Sequence, residues 1–115
     1  MKVIDSEIFK AQEIKMDTVK NVSKKALITE KDGAPNFALR LFEVGIDGYT
    51  PFHNHSWEHE VYILEGSGEL LTSNGSKTLS PGNAVFIPEN EMHQFKNIGY
   101  GPFKFLCVVP HSGDQ

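Results

Sequence analysis

The chain has one cysteine and one arginine among its 115 residues, and each scarcity closes off a class of function. A single thiol, Cys107, excludes an intrachain disulfide framework and suits a reducing compartment. A single guanidinium, Arg40, leaves one planar fork for bidentate recognition of a carboxylate or phosphate, which disfavours an isomerase that grips sugar phosphates through arginines. Net charge is -4, so a phosphate-backbone partner, which needs clustered lysine and arginine, is not expected. Long hydrophobic runs are missing too. The longest, Phe105 to Val109, falls far short of the ~18 residues of a membrane span. The opening Met1 to Glu7 lacks the basic flank and apolar run of a secretory signal. No nucleic-acid or membrane partner and a cytoplasmic location are therefore the expectations.

What is present points to one folded unit. The composition, 39% hydrophobic and 23% charged, is that of a globular chain, and the length suits a single core. From about Val22 the chain reads as short strands. Phe37, Leu39 and Leu41 alternate with Ala38, Arg40 and Phe42; Val61 and Ile63 with Glu60 and Tyr62; Phe103, Phe105, Cys107 and Val109 with Lys104, Leu106 and Val108. Turn residues separate them: Asp32 to Pro35, Asp47-Gly48, Ser73 to Ser76, Ser80 to Gly82 and Gly99 to Pro102. Asn74-Gly75 predicts a two-residue type I′ hairpin. Only the first twenty residues carry a weak helical hint, at Ile4, Ile8 and Ala11, short of more than a turn or an extended arm. The expected organisation is an N-terminal arm over 1–21, open to a dimer contact by exchange between copies or by pairing of strand edges, a barrel over 22–110 and a C-terminal tail over 111–115. Many short strands between Gly/Pro turns make an all-β barrel or sandwich the expected fold.

Four of the five histidines lie between Phe52 and His93. In a strand, residues i and i+2 share a face, so His53 and His55 aim two imidazoles at one point. His59 keeps that parity if the chain stays extended, or returns from the next strand after a turn at Ser56-Trp57. His93 comes from a distant strand. Imidazole is a common ligand for Zn, Fe, Ni, Cu and Mn, and a buried neutral cluster of four has little other reason to form. The candidate metal ligands are therefore His53, His55, His59 and His93, with Glu60 the competing carboxylate beside His59. Adjacent strand residues face opposite ways, so His59 and Glu60 cannot both reach one ion without a bulge. Glu60 also qualifies as a partner for the free N–H of a ligating histidine. His111, in the tail, reads as exposed, Cys107 as an inert core residue, and Trp57 as a buried structural residue more than a pocket wall.

These residues resemble the cupin superfamily. Its first motif, G-x5-H-x-H-x3,4-E-x6-G, is traced by Gly48, His53, His55, His59 and Gly66, with His59 where glutamate usually stands and Gly48 one residue too close. Its second, G-x5-P-x-G-x2-H-x3-N, is matched by Gly82, Pro88, His93 and Asn97, with Asn90 in place of the second glycine. Asparagine is the residue best able to replace glycine in a left-handed conformation. Counting six residues back from Gly66 lands on His59, which selects it over Glu60. The strings Ala34 to Phe37, Arg40 to Phe42, Trp57 to Glu60 and Pro88 to Glu91 are further similar to the small bacterial tetra-histidine manganese cupins.

The resemblance implies a double-stranded β-helix, or jelly-roll barrel, one divalent metal per chain with manganese foremost, and a homodimer. Four neutral ligands on an octahedral ion leave two positions open and its charge uncompensated. The expected function is a metal-dependent oxidoreductase, dioxygenase-like, acting on a small molecule. The alternative is a non-catalytic module that binds or senses a small ligand or the metal.

Overall fold

Alternation of apolar residues at period two builds the molecule, and in the computed structural model, which describes residues 1–113, it appears as nine strands. They are β1 (Gln12–Glu13), β2 (Lys20–Ile28), β3 (Phe37–Tyr49), β4 (His59–Glu65), β5 (Gly68–Thr72), β6 (Gly75–Leu79), β7 (Ala84–Ile87), β8 (His93–Asn97) and β9 (Phe103–Pro110). Three single 3-10 turns, Ser6–Ile8, Glu30–Asp32 and His111–Gly113, are the helical content of the described residues. The fold is the all-β jelly roll.

Its hydrogen-bonded order is β6-β5-β8-β3-β9-β4-β7, with β2 added to β3 and β1 to β2. Every pairing is antiparallel. The long β3 ties the two layers together. Along Phe37 to Val44 it pairs with β9, and only its last residue, Tyr49, reaches Lys96 of β8. The inward sets of three central strands, β3, β9 and β4, share rows: Arg40 faces Cys107, which faces Val61, while Val44 faces Phe103. The core therefore contains Val22, Ala38, Val44, Val61, Ile63, Leu70, Phe95, Phe103, Phe105, Cys107 and Val109. Burying each of the larger ones contributes about 1.5–3 kcal/mol before the entropy cost of ordering them.

Two sequence expectations are refined by the backbone. The β5–β6 hairpin forms, but its turn residues are Ser73 and Asn74, since Thr72 pairs with Gly75. Gly75 supplies the left-handed φ of +127°, and neither turn residue does, so the connection is not type I′. Asn90 has φ +66°, the conformation expected of a glycine substitute. At Gly68, a Cβ would enter the ring of fully buried Phe103, so the strand can pass over the aromatic core only without a side chain.

The N-terminal segment is more than a loose arm. β1 pairs with β2 of its own chain, and Ile14 N–H donates to the Val22 carbonyl at 2.9 Å. Of the tail expected at 111–115, residues 114 and 115 lie outside the described residues. His111 is half-buried rather than exposed, its Nε2–H donating to the Ala34 carbonyl at 2.5 Å. The loop after the second 3-10 turn offers that acceptor, and nothing local in the sequence announces it.

Candidate metal centre

His53 and His93 are brought together by the backbone itself. They form an isolated antiparallel bridge, His53 N–H donating to the His93 carbonyl at 3.1 Å and His93 N–H to the His53 carbonyl at 2.9 Å. His55 follows two residues on, and Asn90 N–H donates to its carbonyl at 2.7 Å, so the left-handed turn at Asn90 also braces the histidine segment. His59 opens β4 on the inward face, paired with Ile87.

All four imidazoles converge. His53, His55 and His93 present nitrogens within 4.8 Å of one another, three histidines able to hold a metal ion. His59 joins them: its Nε2 lies 2.5 Å from His55 Nε2, and its ring centroid lies 4.2 Å from that of His55 and 5.3 Å from that of His93. Glu60, next in sequence, is exposed on the outer face beside Glu58, whose hydrogen bond holds its carboxyl above the usual range. The second role open to Glu60, orienting a histidine, is filled by other groups at His55, His59 and His93.

Those groups fix the rings. His55 Nδ1–H donates to the Trp57 carbonyl at 3.1 Å, and His93 Nδ1–H to the Glu91 carbonyl at 2.8 Å. A carbonyl only accepts, so both rings carry their proton on Nδ1 and keep a lone pair on Nε2. His59 Nδ1 meets Cys107 Sγ at 3.2 Å, and Arg40 Nη2 donates to the same sulfur at 3.3 Å. Cys107 is buried in the core as expected, yet it also touches the site. Parity along β9 and its register with Arg40 carried that signal, but only once the strand order was known. Trp57 likewise does two things: its indole stacks on His55 at 4.4 Å, with planes 4° apart, and it lines the adjoining cavity.

The electrostatics keep the cluster neutral. Burial first, then the neighbouring histidines, lowers His53 to about 4 and His59 to about 3. His55 and His93 are lowered as well, chiefly by burial. Neutral imidazoles with lone pairs turned toward one another are the donor set that a divalent transition ion satisfies. The residues present therefore fit a metal.

The centre opens on a cavity of about 330 Å³. Phe42, Phe95 and Phe105, stacked at 4.7 to 5.3 Å, form one wall with Val22. Ile14, Met16 and Val19 of the N-terminal segment form another, a role its sequence did not announce. Lys24 and Arg40 also face it, and no carboxylate among the described residues does.

Comparison with known proteins agrees with this architecture. The family model Cupin_2, the cupin domain, matches residues 40–109. Auxin-binding protein 1 of Arabidopsis thaliana is 31% identical over 80 residues, 62% of this chain and 39% of that protein, so the matched segment spans well under half of the relative. Among solved structures, the polyketide cyclase RemF of Streptomyces resistomycificus superposes with a TM-score of 0.91 at 38% identity, covering 96% of this chain and 80% of that one. A cupin 2 conserved barrel domain protein of Rhodopseudomonas palustris gives 0.75 at 30% identity, covering 87% and 68%.

Proposed function

The chain belongs to the cupin domain family, and from that premise we propose that it is a metal-dependent enzyme that closes rings in an apolar polycarbonyl small molecule. The observation that carries this reading is the join between an all-imidazole cluster and an aromatic-walled cavity that no carboxylate among the described residues lines. The likeness to a polyketide cyclase across nearly the whole chain supports it.

His53, His55, His59 and His93 are the proposed ligands; the Trp57 and Glu91 carbonyls set the tautomers of His55 and His93, and Cys107 contacts His59. A divalent ion held there supplies Lewis acidity that polarises carbonyl oxygens; the family resemblance makes manganese the first candidate. The chain itself supplies confinement. Phe42, Phe95, Phe105 and Trp57 exclude water and favour a flat pose. Ile14, Met16 and Val19 narrow the mouth. Paired carboxylates, the equipment of a glycoside hydrolase, are not among the described lining residues.

A second reading, a dioxygenase-like oxidoreductase, draws on the same four histidines, whose donor set would serve a redox-active ion. One experiment separates the two. Metal-loaded protein is incubated with a panel of aryl poly-β-ketones under argon and under air, and products are weighed by mass spectrometry. An intramolecular aldol condensation joins an enolic carbon to a carbonyl carbon and releases that oxygen as water, so the product is lighter by one water and forms without oxygen. Incorporation of both oxygen atoms, in air alone, would favour the dioxygenase. Saturable binding without turnover would leave a non-catalytic binding module.

A further inference from the structure

Two cations stand on the inner face of the barrel beside the histidine cluster. In the β2–β3 register Lys24 faces Phe42 and Ala26 faces Arg40. Lys24 and Arg40 are thus diagonal neighbours on one sheet face, roughly 7–8 Å apart in such a pair. Arg40 lies over the Phe42 ring, 5.1 Å from its centroid. Both cations line the cavity that the four histidines share.

Their position is unusual for their chemistry. On the same face of β2 the residues flanking Lys24 are apolar, Val22 and Ala26, and a lysine costs least on the outer face, where water solvates it. The chain as a whole has 15 acidic residues against 11 basic ones, yet among the described residues lining this cavity the charged ones are both basic. Arg40 is already engaged, by Cys107 and Phe42 among its contacts, and is held in place rather than offered to a ligand. Lys24 is half-exposed at the mouth and in no ion pair among the described residues, so its ammonium is available to an incoming group.

From this placement we propose that the cavity takes an acidic ligand, a planar apolar molecule carrying a carboxylate, and that Lys24 is the residue that determines this specificity. The inference rests on the reading of the cavity as the substrate site and adds the charge of the substrate to it. The aromatic wall holds the apolar body, and the carboxylate meets the Lys24 ammonium at the mouth. A point charge on a flexible stem suits this role, because it follows ligands of somewhat different length.

The test uses two isosteric probes, 2-naphthoate and 2-naphthamide, titrated calorimetrically into the full chain, both metal-loaded and metal-stripped. The wild type is expected to prefer the acid by about tenfold or more, a difference of about 1.4 kcal/mol. Lys24→Met should remove most of that preference by weakening the acid alone, and Lys24→Arg should keep it. Metal content, measured on the same samples, is expected to be unchanged in both variants. If Lys24→Met retains the full preference, if wild type binds acid and amide equally, or if neither probe binds, the assignment is wrong. A preference confined to loaded protein and indifferent to Lys24 would place recognition at the histidine centre, overturning this inference while leaving the proposed metal site standing. Chains that hold no metal yet show Lys24-dependent binding of the acid would do the reverse.

Discussion

The indole of Trp57 lies parallel to the imidazole of His55, 4.4 Å from it, while the Trp57 carbonyl accepts the His55 Nδ1 proton. One residue thus holds a candidate ligand by ring face and by backbone. The stack continues to His59, whose ring lies 4.2 Å beyond His55. Trp57 is also the sole tryptophan, so the chain carries a built-in reporter at the centre. Titrating metal-stripped protein with Cu²⁺ or Ni²⁺ is expected to quench its fluorescence with saturation at one ion per chain. His55→Ala should abolish that saturable quenching. Trp57→Ala, read by calorimetry, should weaken metal binding by roughly 10–100-fold, the usual loss when a group supporting a ligand is removed. Unchanged affinity in Trp57→Ala would show that the stack contributes nothing to the site.

His59 and Glu60 are neighbours with opposite fates, one buried against His55 and the other exposed beside Glu58. His59→Ala is therefore expected to lower metal affinity steeply and to alter the paramagnetic resonance spectrum of bound Mn²⁺ or Cu²⁺. Glu60→Gln should leave both unchanged. The reverse pattern, binding lost in Glu60→Gln and kept in His59→Ala, would mean a three-histidine, one-carboxylate centre. Copper, nickel and zinc should bind more tightly than manganese in vitro, following the usual order for imidazole donors.

These outcomes bear on how much of the molecule its sequence disclosed. Strand parity placed Val61, Ile63, Phe103, Phe105, Cys107 and Val109 on shared faces, and the same faces are buried. The spacing of the four histidines named a cluster that the fold does assemble. What parity could not supply was direction. In β3 the more hydrophobic set, Phe37, Leu39 and Leu41, faces outward, and Ala38, Arg40 and Phe42 face in, because Arg40 shares a row with Cys107 and Val61. That choice is made by pairing between strands far apart in sequence, and no local window contains it. Partners supplied by backbone carbonyls, at Trp57, Glu91 and Ala34, are invisible for the same reason.

Acid should weaken the metal-free protein, with a sign fixed by burial. His53 and His59 have folded-state pKa values of about 4 and about 3, below the ordinary value of 6.5 for a histidine. Between these limits the unfolded chain binds protons that the folded chain refuses, so stability falls as pH falls. The loss begins near pH 6.5 and levels off only as the folded-state values are reached. Thermal melts of metal-stripped protein from pH 7.5 to 4.5 should show a progressive drop in Tm, reduced in His53→Gln and His59→Gln. A flat profile would mean the histidines are solvated.

The outward apolar set of β3 leads to the last expectation, the homodimer that the family resemblance implies. Pairing places Leu41 beside Leu106 and Leu106 beside Tyr62 in one row, and Leu39 beside Val108 in the next, with Phe86 reached across Glu60. Phe86 and Tyr62 remain about 61% and 48% exposed. The result is an apolar patch interrupted by Glu60 and rimmed by Lys25, Glu43 and Lys104, with the apolar centre and charged edge of an association surface. A twofold arrangement with its axis along the strands sets β2 of one copy over β4 of the other, bringing Lys25 toward Glu60. The N-terminal segment already pairs with its own β2 and lines its own cavity, so this face rather than arm exchange is the expected contact. Light scattering at micromolar concentration should give about twice the chain mass of 12.9 kDa. Leu106→Glu combined with Tyr62→Glu should give the single-chain mass with an unchanged β-type circular dichroism spectrum. A monomeric wild type, or a folded double variant that stays dimeric, would exclude this face as the interface.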